Sequence, residues 1–406
     1  MPDIIKPTDV DQTREAVAWA FAENKTLEVR GSGSKISLGR TLAEMPVLDL
    51  SALSGVTLYE PGELVLTAGA GTPLRDIQKL LSENAQRLAF EPMDMAAVLG
   101  GDKGDGTVGG MIACNIAGPR RISAGAARDH ILGVKGISGR GESFKSGGRV
   151  VKNVTGYDMS KLMTGSYGTL GALTEITLKV LPRPEKAWTL LLLGLDDTAA
   201  IKALAQAAGS SHEVSGLAHV PQGRAARSGV SYVRDAGCAV TAIRVEGPGP
   251  SVEHRLASLR RELAAFGDME ELHSHNSAGL WQEIRDVSLL TQGTQLWRLS
   301  VTPSEGARVV NEIANVIAGV ETVYDWAGGL IWLSLPAQDD AGHEIVRASV
   351  NNVGGHATLI RADATVRRKV PVFHPQAKPV ADLSRRIKEG LDPHGVFNPG
   401  RMVDGL

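Results

Sequence analysis

The chain has 406 residues, with 43 Lys plus Arg against 45 Asp plus Glu and a net charge of −2. At roughly 100–200 residues per domain this length makes two or three domains. The balanced charge excludes a broad electrostatic grip on nucleic acid, which needs a basic excess or a basic face. Hydrophobic residues make up 43%, enough for a sizeable core, while aromatic residues at 4% are poor material for a base-stacking surface. No apolar run approaches the roughly 18 residues of a membrane span. The opening MPDIIKPTDVDQ carries acids and two prolines without an apolar stretch, so no secretory signal is expected. The only cysteines, Cys114 and Cys238, lie far apart, which excludes a disulfide framework, a CxxC pair and a cysteine-ligated cluster built by this chain.

In chain order, residues 9–24 read as a helix with Thr8 as N-cap and with Val10, Ala16, Val17 and Ala20 on one face. Strands are predicted over 27–30, 47–50, 56–60 and 64–68, separated by Gly and Pro. Thr72-Pro73-Leu74 opens a helix to about Asn84, with the threonine as cap. Between Gly100 and Gly171 lie 18 of the chain's 47 glycines, laced with Val, Ile, Leu and Met. This reads as short strands and tight turns where backbone approaches a ligand, with strands at 131–138 and 171–181. The segment 181–184 reads as a linker. From Trp188 a strand–helix rhythm appears: strand 188–195, helix 197–208, strands 213–219 and 238–246, helix 250–266, strand 268–273. After a helix at 279–290 it repeats: strand 295–302, helix 304–317, strands 320–326 and 329–335, helix 340–351, strand 356–361. Each series is βαββαβ, giving two ferredoxin-like halves. Residues 376–390 are helical and run into the turn-rich end of the chain.

Three segments carry chemistry. Arg30-Gly31-Ser32-Gly33-Ser34-Lys35 follows a strand, and its small residues expose successive backbone N–H groups, which suits a pyrophosphate. It fits neither the Walker A spacing nor a Rossmann fingerprint, and an unliganded Gly/Ser turn has the same composition. The second, Gly104 to Gly118, sets Thr107 and Asn115 among glycines. It reads either as a bulged hairpin or as a surface for a flat polar ring system. The third, Val150 to Gly171, crowds Lys152, Asn153, Tyr157 and Asp158 into one turn, where a solvated loop is the alternative.

Together these segments, with ARDHILGVKGI at 127–137 and DPHGVFNPGRM at 392–402, resemble the FAD-binding domain of the vanillyl-alcohol oxidase / p-cresol methylhydroxylase superfamily. The resemblance runs over nearly the whole chain. It implies an α+β fold: a PCMH-type FAD-binding domain of two α/β subdomains (1–184), a ferredoxin-like cap domain (185–370), and a C-terminal helix and tail returning to the FAD domain (371–406). It implies that Arg30, Gly31, Ser32, Gly33, Ser34 and Lys35 bind the FAD pyrophosphate. Gly106, Thr107, Val108, Gly109, Gly110, Asn115 and Gly118 would line the pyrophosphate and isoalloxazine. Arg128 and Asp129 would sit near the adenosine half, Ile176 would meet adenine or ribose through its backbone, and Asn153, Tyr157 and Asn398 complete the cofactor set. Lys152 would stabilise charge on the reduced flavin, the kind of tuning a protein supplies to a cofactor.

Departures from the family pattern refine this. Covalent members carry a His in the pyrophosphate loop; Ser34 and Lys35 stand there, so FAD is expected to be non-covalent. Cys114 follows the double glycine and is expected to be a buried inert thiol. The substrate and metal motifs of the 2-hydroxy-acid dehydrogenases are missing. His273-Ser274-His275, if extended as a strand, would place two imidazoles on one face, but nothing pins a third ligand and no metal is assigned. The expectation is a flavoprotein subunit of a glycolate-oxidising complex, working beside a larger FAD subunit and an iron–sulfur subunit. It would be cytoplasmic, with any attachment to the inner membrane supplied by the complex. The alternatives are a self-sufficient oxidase or dehydrogenase, with Arg285, Arg298, Arg361 and His374 as candidate groups, and a non-catalytic assembly subunit.

Overall fold

The computed structural model describes residues 3–100, 106–148, 156–290 and 295–404. The chain divides into two compact units. The first comprises Met1–Ala117, Gly125–Arg183 and Pro375–Leu406; the second comprises Gly118–Ala124 and Pro184–His374.

The first unit contains a small parallel sheet in the order Ile4–Ile5, Val47–Asp49, Glu28–Arg30. Its helix Val10–Ala22 buries Thr13, Val17 and Ala20, spaced to one face. The cap is Asp9, not the expected Thr8: the Asp9 carboxylate accepts the N–H of Gln12 at 2.8 Å. The tail closes this core, where Val396 and Phe397 pack with Val17, Leu27 and Leu48. A second, five-stranded antiparallel sheet runs Val56–Glu60, Val65–Gly69, Ala172–Lys179, Ile131–Ile137, Ser143–Gly147. Helix Leu74–Glu83 has no side-chain cap. Thr72 instead donates to the carbonyl of Gly69 at 2.7 Å and accepts the N–H of Gly55 at 2.9 Å, tying a turn together.

Within the glycine-rich stretch the strands expected at 131–138 and 171–181 form as Ile131–Ile137 and Ala172–Lys179, whereas the described part of 104–118 is not a bulged hairpin. Val108–Ala113 is helical, with Thr107 accepting the N–H of Gly110 at 3.2 Å as its cap. Two glycines weaken a helix by about 1 kcal/mol each relative to alanine. Close approach explains one of them: a Cβ at Gly109 would lie 2.8 Å from the carbonyl oxygen of Ala70.

The second unit is one eight-stranded sheet. Its order is Met269–Leu272, Lys186–Leu193, Val240–Gly247, Gly216–Val220, Glu321–Asp325, Leu330–Leu335, Gln295–Ser300, His356–Arg361. Each half has the strand order of a ferredoxin-like βαββαβ motif, and the two halves meet through their second strands at the single pair His219 and Tyr324. Helices Asp197–Ala208, Gly249–Glu262, Gly306–Ala314 and His343–Asn351 contribute Leu204, Leu256, Ile313 and Val346 to its core. Among the described residues no helix is long and apolar enough to cross a membrane.

Candidate FAD site

A pocket of about 790 Å³ opens in the first unit. Its rim is the turn Gly31–Lys35 that follows strand Glu28–Arg30, and Gly109, Gly110, Cys114, Tyr167, Gly168 and Arg401 complete it. The turn holds Gly33 at φ +79 with open space where a side chain would stand. Ile36 N–H bonds back to Gly33 at 3.2 Å, and among the described residues the N–H groups of Ser32, Gly33, Ser34 and Lys35 meet no backbone acceptor. Successive uncommitted N–H groups in one bend form an anion-binding concavity. Gly31 is held tight, since a Cβ there would lie 2.4 Å from Oγ1 of Thr107.

The pocket is cationic. Lys35 Nζ donates to Oγ of Ser34 at 3.0 Å, and a Cβ at Gly106 or Gly110 would stand 2.8 or 3.3 Å from that nitrogen. Burial lowers the Lys35 ammonium below its ordinary range, while Cys114 and Asp94 pull it back up. Glu28 bridges two guanidiniums, Arg30 at 2.5 Å and Arg401 at 2.9 Å. The Nε atoms of both arginines are buried and, among the described residues, meet no hydrogen-bond partner. Burial pushes the Cys114 thiol up, against the opposing pull of Lys35 and Arg401. Orphaned buried donors, a turn of open N–H groups and a glycine cradle fit the phosphate-linked part of a dinucleotide.

The remaining sequence candidates fall in several places. Gly106 and Thr107 stand beside the turn, and the N–H of Gly109 is committed to Ala70 at 2.8 Å. Val108 is fully buried in the core rather than at the pocket. Asn115, at φ 49, accepts the N–H of Arg128 at 3.1 Å, and the Asp129 carboxylate accepts the N–H of Ala126 at 2.8 Å. Gly118 lies in the second unit, where its carbonyl accepts the indole N–H of Trp326 at 3.2 Å. Ile176 is buried in a central strand, paired with Ala68 on one side and Val134 on the other, so its backbone lies inside the sheet. Tyr157 is 92% exposed. Asn398 is buried, and its amide is spent on backbone: Oδ1 accepts the N–H of Val29 at 2.9 Å, and Nδ2 donates to Tyr167 and Gly168. Lys152 and Asn153 lie outside the described residues.

Arg401 and Glu28 are pocket residues that sequence reasoning missed. Glu28 reads as an ordinary strand residue, and Arg401 lies 373 positions away. The only signal is the NPGR run at 398–401. The expected His273-Ser274-His275 face does not form, because His273 is the N-cap of helix Ser274–Arg285 and stacks on Trp188 at 3.9 Å. Among the described residues no group of three metal-capable side chains assembles.

Comparison with known proteins makes the chain an FAD-dependent oxidoreductase. A family described as "FAD binding domain" matches residues 2–147. The chain is 37% identical over 396 residues to glycolate oxidase subunit GlcE of Escherichia coli K12, covering 97% of each. It is 24% identical over 434 residues to glycolate oxidase subunit GlcD of Bacillus subtilis 168, covering 99% of this chain and 89% of that one. Among solved structures, p-cresol methylhydroxylase with substrate bound superposes with a TM-score of 0.71 at 13% identity, over 99% of this chain and 88% of that one, a likeness of fold. The chain belongs to the FAD-binding glycolate oxidase subunit family.

Proposed function

We propose that this chain is the flavin-holding relay subunit of a glycolate oxidase complex that converts glycolate to glyoxylate and passes electrons to an iron–sulfur partner. One observation carries the reading. The first unit forms a cationic dinucleotide pocket, yet the whole chain has two cysteines, Cys114 and Cys238, too few for a cysteine-ligated cluster. On this reading the iron–sulfur cluster implied by the family resemblance sits on a partner, beside a larger FAD subunit. FAD, when bound, supplies acceptance of a hydride equivalent and its release as single electrons.

This chain's residues bind and orient. The 31–35 turn offers its N–H groups to phosphate, Lys35 and Arg401 add positive charge, and Ser34 in place of a histidine leaves the cofactor non-covalent. Lys152 is the proposed cation beside the reduced cofactor, and Lys152→Met is expected to lower its reduction potential. The proposed address is the cytoplasm, with contact to the inner membrane made through the complex.

A second reading, a self-sufficient hydroxy-acid dehydrogenase, draws on one cluster in the second unit. The guanidinium carbons of Arg121 and Arg298 lie 4.5 and 5.1 Å from the ring centre of Trp326. Burial lowers the His356 imidazole pKa, and Arg298, His374 and Arg121 lower it further. Such a group of cations could orient a carboxylate. Anaerobic addition of glycolate to the purified holo-chain separates the readings. Flavin that stays oxidised until the partner subunits are added supports the relay. Flavin bleached in this chain alone establishes the self-sufficient enzyme instead.

A further inference from the structure

We propose that the flavin pocket recognises its cofactor's phosphates through two side-chain cations, Lys35 and Arg401, and that docking of the C-terminal tail, which carries Arg401, is a condition of cofactor loading. This rests on the reading that the first unit binds FAD, and it deepens that reading by making docking of the tail, through Arg401, a condition of cofactor loading.

The first argument is charge. Among the described residues the charged side chains lining the pocket are Arg30, Lys35 and Arg401 against one carboxylate, Glu28, with Asp94 acting on Lys35 from outside the lining. Glu28 is already shared between Arg30 and Arg401. The described lining thus holds an excess of positive charge, and at the buried Arg401 side chain unbalanced charge is costly.

The second argument is hydrogen bonding. Arg401 is 7% exposed. Its terminal nitrogens donate to Glu28 at 2.9 Å and to the carbonyl of Leu38 at 3.1 Å, while Nε meets no acceptor. A buried donor left unsatisfied costs about 1–3 kcal/mol. Burial also lowers the Arg401 guanidinium from its ordinary range, against the opposing pull of Glu28. An anionic ligand in the pocket supplies both the acceptor and the charge.

The third argument is how Arg401 is held. The tail adds to the first unit as an extra strand beside Leu27: Leu27 N–H donates to Val396 at 2.7 Å and Asn398 N–H donates to Leu27 at 3.0 Å. Arg40 N–H then fastens the carbonyl of Arg401 itself at 2.9 Å. The guanidinium reaches the pocket only while these bonds hold, so ligand binding and tail docking stabilise each other.

The test is titration of flavin-stripped full-length chain with FAD, followed by flavin fluorescence, at low and high NaCl, for wild type, Arg401→Met, Arg401→Lys and Lys35→Met. Loss of one charge-assisted contact is expected to weaken FAD by about 10–100-fold and to flatten the salt dependence, because one ion contact fewer is screened. Arg401→Lys is expected to recover part of both. FAD affinity within twofold of wild type in Arg401→Met and Lys35→Met overturns the proposal. So does weaker binding with the wild-type salt dependence, which marks a merely structural role. If Arg401→Met fails to fold, Lys35→Met decides, because among the described residues its ammonium bonds only the neighbouring Ser34 side chain. A folded wild type that takes up no FAD at all overturns the underlying reading instead.

Discussion

The side-chain amide of Asn398 replaces a strand partner for Val29, 369 residues away, accepting its N–H at 2.9 Å while donating to the carbonyls of Tyr167 and Gly168. One buried amide thus ties the tail to the strand that leads into the 31–35 turn and to the Tyr167–Gly168 loop that also lines the pocket. The backbone at Asn398 is left-handed, at φ 44, a conformation asparagine tolerates better than most residues. Asn398→Ala removes all three bonds and leaves buried backbone groups unpaired. A loss of about 2–4 kcal/mol is expected, read as a lower denaturation midpoint, with weaker FAD retention following from it. An unchanged midpoint would remove the clamp.

Gly33→Asp tests the turn itself. Gly33 sits at φ +79 with nothing within 4 Å of a built Cβ, so the new carboxylate stands free at the rim. Aspartate is among the residues that enter this backbone region at modest cost. The expected result is a folded chain with wild-type circular dichroism that no longer retains stoichiometric FAD, because a negative charge repels phosphate. Retained flavin would show that phosphate does not sit at this turn.

The seam of the eight-stranded sheet is predicted to be pH-sensitive from both sides. Tyr324 donates to Asp197 at 2.5 Å, and His219 Nε2 lies 3.3 Å from the other carboxylate oxygen. Burial alone would raise the Asp197 carboxyl, but the contacts with His219 and Tyr324 outweigh it and hold it below the ordinary value. A depressed carboxyl stabilises the fold above its unfolded pKa of about 3.9 and loses that stabilisation as the pH falls below it. Burial pushes the Tyr324 phenol up, and Asp197 pushes it further. A raised phenol stabilises fully below about pH 10 and progressively less above it. Asp197→Asn should flatten the acid limb of a stability–pH profile, and Tyr324→Phe the alkaline limb. Wild-type limbs in both variants would locate the sensitivity elsewhere.

Cys114 offers a readout of pocket occupancy. Its thiol is raised by burial and lines the cavity with Lys35 and Arg401. In a Cys238→Ser background, alkylation of the apo chain is expected to be slow at neutral pH and to rise above the ordinary thiol range of about 8.5. FAD should protect it by filling the pocket. Labelling that FAD leaves unchanged would place Cys114 away from the cofactor.

Much of this molecule was legible in local pattern. The helix over 197–208 and the strand over 356–361 occur where alternation and capping put them, because a hydrophobic face and a cap are read within a few residues. The 31–35 turn was legible for the same reason. The helix over 108–113 was not. Its two glycines argue against helix on propensity, and only the contact with Ala70 shows why one of them is there. His273 and His275 were misplaced because the strand ends at Leu272, one residue earlier than expected, and the N-cap geometry takes over.

By itself, the sequence determined the order of elements, the doubled βαββαβ series, the phosphate-type turn and the resemblance to an FAD-binding superfamily. All of these rest on short-range spacing and residue type. Only the tertiary structure decided that Glu28 joins Arg30 to Arg401, that Asn398 is a clamp on backbone, and that Gly118–Ala124 belongs to the second unit. Those outcomes depend on which buried polar groups find partners across hundreds of residues. Burial and hydrogen-bond satisfaction are properties of the assembled chain, and no local window of sequence contains them.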